Sequence, residues 1–186
     1  IIGGCDEVSK HDTVNTITDW MDPRGVATYH FDENNQGEIE RPEFWKYWHT
    51  LPAKGEIGIY LGAWYNKPLV QQAYKKVDSV TYDQYLSRIK LLEKQLTDDG
   101  ALIIKLWISI SKTEEDQATH YNQFKASSDQ LLRKTSYPFA QWHLIENNDA
   151  RHRMITAAQN LQNLLNSHNR EDSPLSADPI SITLPE

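Results

Sequence analysis

Cysteine is nearly missing from this chain of 186 residues: Cys5 is the single one. A lone thiol excludes an internal disulfide and fits a reducing, cytoplasmic setting. Long hydrophobic runs are missing too; none approaches the roughly 20 residues of a membrane span, and no signal peptide is visible. Positive charge is short, with 19 Lys and Arg against 26 Asp and Glu and a net charge of −7. The average field therefore repels polyanions, so any phosphate chemistry requires a local basic patch. The clearest clusters are Lys75-Lys76, Arg133-Lys134 and Arg151-His152-Arg153, each of which reads first as a solvated helix face. His30, His49, His120, His143, His152 and His168 have no metal-ligand spacing with another His or Cys. No Ser-His-Asp arrangement and no internal repeat is recognisable. The first residue is not methionine, and Ile1-Ile2 reads as the middle of a β-strand. A fragment of a longer protein is the expectation.

What is present is the composition of one soluble globular domain, with 39% hydrophobic and 24% charged residues. Gly4-Cys5-Asp6-Glu7-Val8-Ser9-Lys10-His11 has the length and the lysine of a phosphate loop of pattern G-x-x-x-x-G-K-[ST]. In such a loop the second glycine turns backbone N–H groups onto phosphate, and the final hydroxyl holds magnesium. Ser9 and His11 stand at those two positions. A residue with a Cβ reaches positive φ only at a cost, and imidazole is a poor ligand for a hard cation.

Hydrophobic spacing predicts a helix over 13–21, ended by Asp22-Pro23, and a strand over 26–31. A polar turn is expected over 32–37. Arg41-Pro42-Glu43 opens a second helix that runs to Leu51-Pro52, with Phe44, Trp45, Tyr47 and Trp48 as one aromatic face. A buried strand follows over 55–60, then a loop over 62–68. Period 3.6 marks a helix over 82–96, closed by Asp98-Asp99-Gly100. The run 101–110 is the best candidate for a central parallel strand. A helix over 119–135, a strand over 142–145 and a helix over 150–165 complete the alternation. Strand and helix alternating in this way imply an α/β domain with a parallel sheet of about five strands, covered by helices on both faces, with ligands at the carboxyl ends of the strands. Residues 1–168 are read as the domain and 169–186, rich in Ser, Pro and Asp, as a linker.

Several motifs in order resemble the polyphosphate kinase 2 family: Asp22-Pro23-Arg24-Gly25, Arg41-Pro42-Glu43-Phe44-Trp45-Lys46-Tyr47-Trp48, Gly58-Ile59-Tyr60 with Trp64-Tyr65, Asp98-Asp99-Gly100, Lys105-Leu106-Trp107-Ile108-Ser109 and Ala140-Gln141-Trp142. Asp19-Trp20-Met21-Asp22-Pro23-Arg24 with Gly62 before the Trp-Tyr pair is similar to the N-terminal half of the tandem members, whose C-terminal copy keeps the catalytic residues. The resemblance implies a P-loop kinase-like, three-layer fold. It implies transfer of a phosphoryl group from polyphosphate to AMP and Mg2+ in the full-length enzyme, with no metal expected in this copy. The implied partners are a C-terminal polyphosphate kinase 2-like domain or a second copy of the chain, with no nucleic acid and no membrane.

The departures bear on activity, because phosphoryl transfer depends on positioning and charge neutralisation. Where the family has Asp-Arg-Ser-Trp-Tyr-Asn-Arg, this chain has Leu61-Gly62-Ala63-Trp64-Tyr65-Asn66-Lys67. Leu61 cannot bind magnesium, and Gly62 removes a guanidinium. The basic lid of the family, expected near 116–119, is either deleted there or left out of this sequence. By resemblance, Lys10 and Asp6 are the remnant catalytic candidates, and Lys10, Thr13, Arg24 and Lys67 the phosphate or nucleotide candidates. Each also has a plainer reading. Lys10 would be a solvated lysine at a helix start, Asp6 a loop residue, Thr13 an N-cap or first-turn residue, and Arg24 the partner of Asp19 or Asp22. The aromatic residues read as packing. The expectation is a catalytically weak or structural domain; an active nucleotide kinase with a rearranged metal site and a pure interaction module are the alternatives.

Overall fold

In the computed structural model, the described residues are 1–4, 6–31, 41–109, 119–147 and 149–171. The expected lid and turn segments and Cys5 lie outside them. Five strands form one wholly parallel sheet in the order β2-β3-β1-β4-β5. They are β1 (Ile2–Gly4), β2 (Val26–His30), β3 (Ile57–Leu61), β4 (Lys105–Ser109) and β5 (Trp142–Glu146). The helices are α1 (Glu7–Asp19), α2 (Trp45–Trp48), α3 (Ala63–Ala73), α4 (Ser79–Asp98), α5 (Thr119–Thr135) and α6 (Ala150–Glu171).

Alternation along each strand divides the core between the two faces of the sheet. Ile2, Ile59, Leu61, Leu106, Ile108 and Ile145 pack with Val14 and Ile17 of α1 and Ala157 of α6. On the other face Tyr60, Trp107 and Trp142 pack with Trp64 and Tyr65 of α3, Leu86 and Ile89 of α4 and Leu131 of α5. One layer is aliphatic and the other largely aromatic. Each apolar side chain buried in this way contributes on the order of 1.5–3 kcal/mol against exposure.

Beneath the aromatic layer lies a polar cluster without exposed surface. Lys105 on β4 donates to Glu93 of α4 at 2.8 Å and to the Thr135 carbonyl at 2.6 Å. Tyr65 and Trp64 donate to the other Glu93 oxygen at 2.6 and 3.0 Å. Burial pushes the Lys105 ammonium below its ordinary pKa, and Glu93 pulls it partly back.

The sheet, its strands and the long helices agree with the expectations, with four local differences. The helix α1 starts at Glu7, a turn and a half before 13, because Asp6 caps it by accepting from the Val8 N–H at 3.1 Å. The expected helix from Arg41 to Leu51 shrinks to the single turn α2, with Tyr47 buried and Trp48 about half exposed. The expected loop over 62–68 is instead the first half of α3. Trp64, Tyr65 and Leu69 gain core contacts there, which override the turn residues Gly62, Asn66 and Pro68. The helix α6 runs to Glu171, three residues past the expected domain end, and residues 172–186 lie outside the described set. No helix among the described residues is long and apolar enough to cross a membrane.

Candidate active site

The chain leaves β1 toward one edge of the sheet and leaves β4 toward the other, which opens a crevice at the carboxyl ends of these adjacent strands. The phosphate-loop segment lies there. Gly4 has φ +142°, and a Cβ on it would sit 2.5 Å from the Ile108 carbonyl oxygen, so only glycine lets β1 turn into α1 beside β4.

Asp6 stands at the mouth as the N-cap of α1. Its carboxylate accepts from the Val8 N–H, from the Ser9 hydroxyl and from Asn147 Nδ2 at 3.2 Å. Burial alone would raise its pKa, but these hydrogen bonds outweigh burial and hold the carboxyl below its ordinary value. Ser9 also accepts from Asn147 Nδ2 at 2.7 Å and from Arg153 Nη1 at 3.2 Å. Arg153 Nη1 donates to Asn147 Oδ1 as well, while Nη2 lies 3.6 Å from Asp12. Arg153 is buried, and its Nε has no hydrogen-bond partner among the described residues.

Lys10 is buried rather than solvated, with 4% exposure, and its ammonium donates to Glu7 at 2.8 Å. Thr13 is neither a cap nor a first-turn residue. It is fully buried one turn further along α1 and donates its hydroxyl to the Ser9 carbonyl at 2.7 Å. Arg24 pairs with Asp22 in full solvent, Nε to Oδ1 at 3.0 Å, and each holds the other in its charged form. This selects the ion-pair partner Asp22 over Asp19. Leu61 is buried among Ile2, Val14 and Ile17. Gly62 follows with φ +68°, where a Cβ would lie 2.9 Å from that of Asn66. Lys67 is exposed on α3, in the wall of a cavity with Arg41, Lys46 and Arg88.

The structure thus places Asp6, Lys10 and Thr13 on the N-cap and first two turns of α1, with Arg24 just before β2 and Lys67 on α3. Sequence reasoning missed Glu7, Asn147 and Arg153. A carboxylate three residues before the loop lysine was a legible signal for Glu7; Arg153 stood in a basic cluster read as a solvated helix face, but it is buried against Ser9, and Asn147, which meets the loop across more than 130 residues of sequence, gave no signal.

Magnesium requires several oxygen ligands in near-octahedral geometry. Among the described residues no group of three or more His, Cys, Asp or Glu side chains could hold a metal ion. The Asp6 oxygens are engaged by three donors, Thr13 points its hydroxyl at the backbone, and Leu61 offers no oxygen. The described crevice does not fit a hard divalent cation.

The sequence profile of Polyphosphate kinase 2 (PPK2) matches residues 1–120. A polyphosphate:AMP phosphotransferase of Pseudomonas syringae pv. tomato is 34% identical over 98% of this chain and 42% of its own length. One from Pseudomonas aeruginosa is 30% identical over 86% of this chain and 36% of its own length. The chain therefore spans less than half the length of these relatives. A crystal structure of a putative polyphosphate kinase 2 from Pseudomonas aeruginosa PA01 superposes with a TM-score of 0.83 at 31% identity, over 90% of this chain and 38% of that one. The polyphosphate kinase 2 of Arthrobacter aurescens TC1 shares the fold, with a TM-score of 0.78 at 21% identity, over 89% and 67% of the two chains. On its sequence and its sheet, the chain belongs to the polyphosphate kinase 2 family.

Proposed function

We propose that this chain is the N-terminal domain, residues 1–168, of a tandem polyphosphate:AMP phosphotransferase that makes ADP from AMP with polyphosphate as donor in the cytoplasm. In this reading residues 169–186 lead out of the domain. Magnesium and turnover belong to the other copy, and this copy is catalytically weak or silent. It acts by packing on its partner domain. Any phosphate contact that it keeps runs through Lys10, Arg24 and Lys67, with Asp6 and Thr13 as remnants of the loop.

The named activity of the two Pseudomonas relatives and the short span of this chain along them support the first part. One observation carries the second. The Lys10 ammonium, which phosphate would need, is already neutralised by Glu7 at 2.8 Å. Leu61 adds no acid to anchor a cation. A loop whose cation is spent internally has little charge left for a migrating phosphoryl group.

The test is a phosphotransfer assay of the 186-residue chain with polyphosphate, Mg2+ and AMP. No ADP above the enzyme-free blank is expected. Turnover that Lys10→Ala abolishes would overturn the silent reading. Failure of the chain to associate with the remainder of the protein would defeat the packing role.

A further inference from the structure

Two imidazoles from separate parts of the chain meet beside the carboxyl ends of the strands. His11 stands in the second turn of α1, and His30 is the last residue of β2. Their ring centres lie 5.6 Å apart, with the ring planes at 78°. The two residues show no ligand spacing in sequence; the fold alone makes them neighbours.

The hydrogen bond of His11 fixes its tautomer. Its Nδ1 lies 2.8 Å from the Glu7 carbonyl oxygen, which can only accept, so Nδ1 carries the proton and Nε2 of the neutral ring holds the lone pair. Histidines that ligate metals are held in the same way, with the other ring N–H donating to a carbonyl or carboxylate. The Glu7 carboxylate lies 3.7 Å from the same Nδ1 and adds negative charge beside the ring. It also pairs with Lys10 at 2.8 Å, which offsets the repulsion of a cation by that ammonium. The His30 ring is exposed and makes no hydrogen bond among the described residues, so it can turn its lone pair toward an ion held at Nε2 of His11.

We propose that His11 and His30 form a two-histidine site for a borderline divalent metal ion of the Zn2+ class, with water completing its coordination. Zinc–imidazole bonds of about 2.0–2.1 Å put the centres of two ring ligands on one ion roughly 5–6 Å apart, which matches the separation of this pair. Imidazole suits Zn2+, Ni2+ and Cu2+ and is a poor ligand for hard Mg2+. The residue that stands where a phosphate loop has its magnesium hydroxyl therefore selects a different ion. Two protein ligands are fewer than the three or four of catalytic and structural zinc sites, which makes the ion exchangeable. When held, it ties the second turn of α1 to the end of β2. The inference goes beyond the proposed function, because it concerns another ligand and other residues and needs no turnover.

The experiment is titration of the 186-residue chain with Zn2+ and, separately, with Ni2+ and Mg2+, read by calorimetry and by the NMR signals of the seven histidine rings. Zn2+ is expected to shift the rings of His11 and His30 together, ahead of the rest, and Ni2+ to broaden the same pair first. Mg2+ should leave both unmoved. Losing one of two imidazole ligands should weaken Zn2+ binding roughly 10-fold or more, so His11→Ala and His30→Ala are each expected to show that loss. His152→Ala, which removes an exposed histidine of α6, should bind Zn2+ as the parent chain does. Both site variants change exposed side chains, and a metal-free melting curve matching that of the parent chain certifies their fold. The ring signals of the parent chain locate the ion without any substitution. Zn2+ should also raise the melting temperature of the parent chain, and less so that of either variant. No shift of the pair, full-strength binding in both variants, or an equal response to Mg2+ overturns the proposal. ADP formation in the phosphotransfer assay would defeat the silent reading and leave this site standing.

Discussion

Single residues decide the balance of charge in this molecule. The Lys105–Glu93 pair is fully buried and is completed by Tyr65, Trp64 and the Thr135 carbonyl. Breaking it by Lys105→Met strands a carboxylate without a counter-charge, and such losses cost about 3–5 kcal/mol. Urea unfolding at neutral pH should show that loss, and Lys105→Met with Glu93→Gln should recover part of it by removing the stranded charge. Asp6 gives a second expectation, in pH. Its folded pKa lies below the ordinary 3.8, so its contribution is fully present above that value and disappears as pH falls through the folded pKa. Asp6→Asn keeps a capping side chain but cannot titrate. Unfolding measured from pH 5 to pH 2 should therefore fall less steeply in Asp6→Asn than in the parent chain.

At the scale of elements, α6 holds the start of α1. Arg153 reaches across from α6 to Ser9 and Asp12, and Asn147, just after β5, ties Asp6 and Ser9 to the same point. Arg153→Met removes the buried donor from Ser9 and Asn147 together, and a cost of about 2–3 kcal/mol is expected. Hydrogen exchange should place that cost in the first two turns of α1 and the start of α6, with α4 unchanged. The same elements explain what could be read from sequence. The helices α4, α5 and α6 have long, regular apolar periods, and β4 is a continuous apolar run, so all four were legible. The start of α1 was hidden because Glu7, Ser9, Lys10 and His11 have no apolar period. The helix α3 was hidden by Gly62, Asn66 and Pro68, whose local turn preference yields to burial of Trp64, Tyr65 and Leu69. The candidate site was legible only where its residues are neighbours in the chain. Asp6, Lys10 and Thr13 share one helix, whereas Arg153 arrives through the fold.

For the whole molecule, the two layers differ in texture as well as in position. Three of the six tryptophans, Trp64, Trp107 and Trp142, are buried on the side of the sheet that carries α3, α4 and α5. The layer of α1 and α6 has none in its core, and Trp20 at the end of α1 is about half in water already. The indole emission of this protein is therefore a one-sided optical gauge: it registers loosening of the aromatic flank and stays almost dark to events on the opposite one.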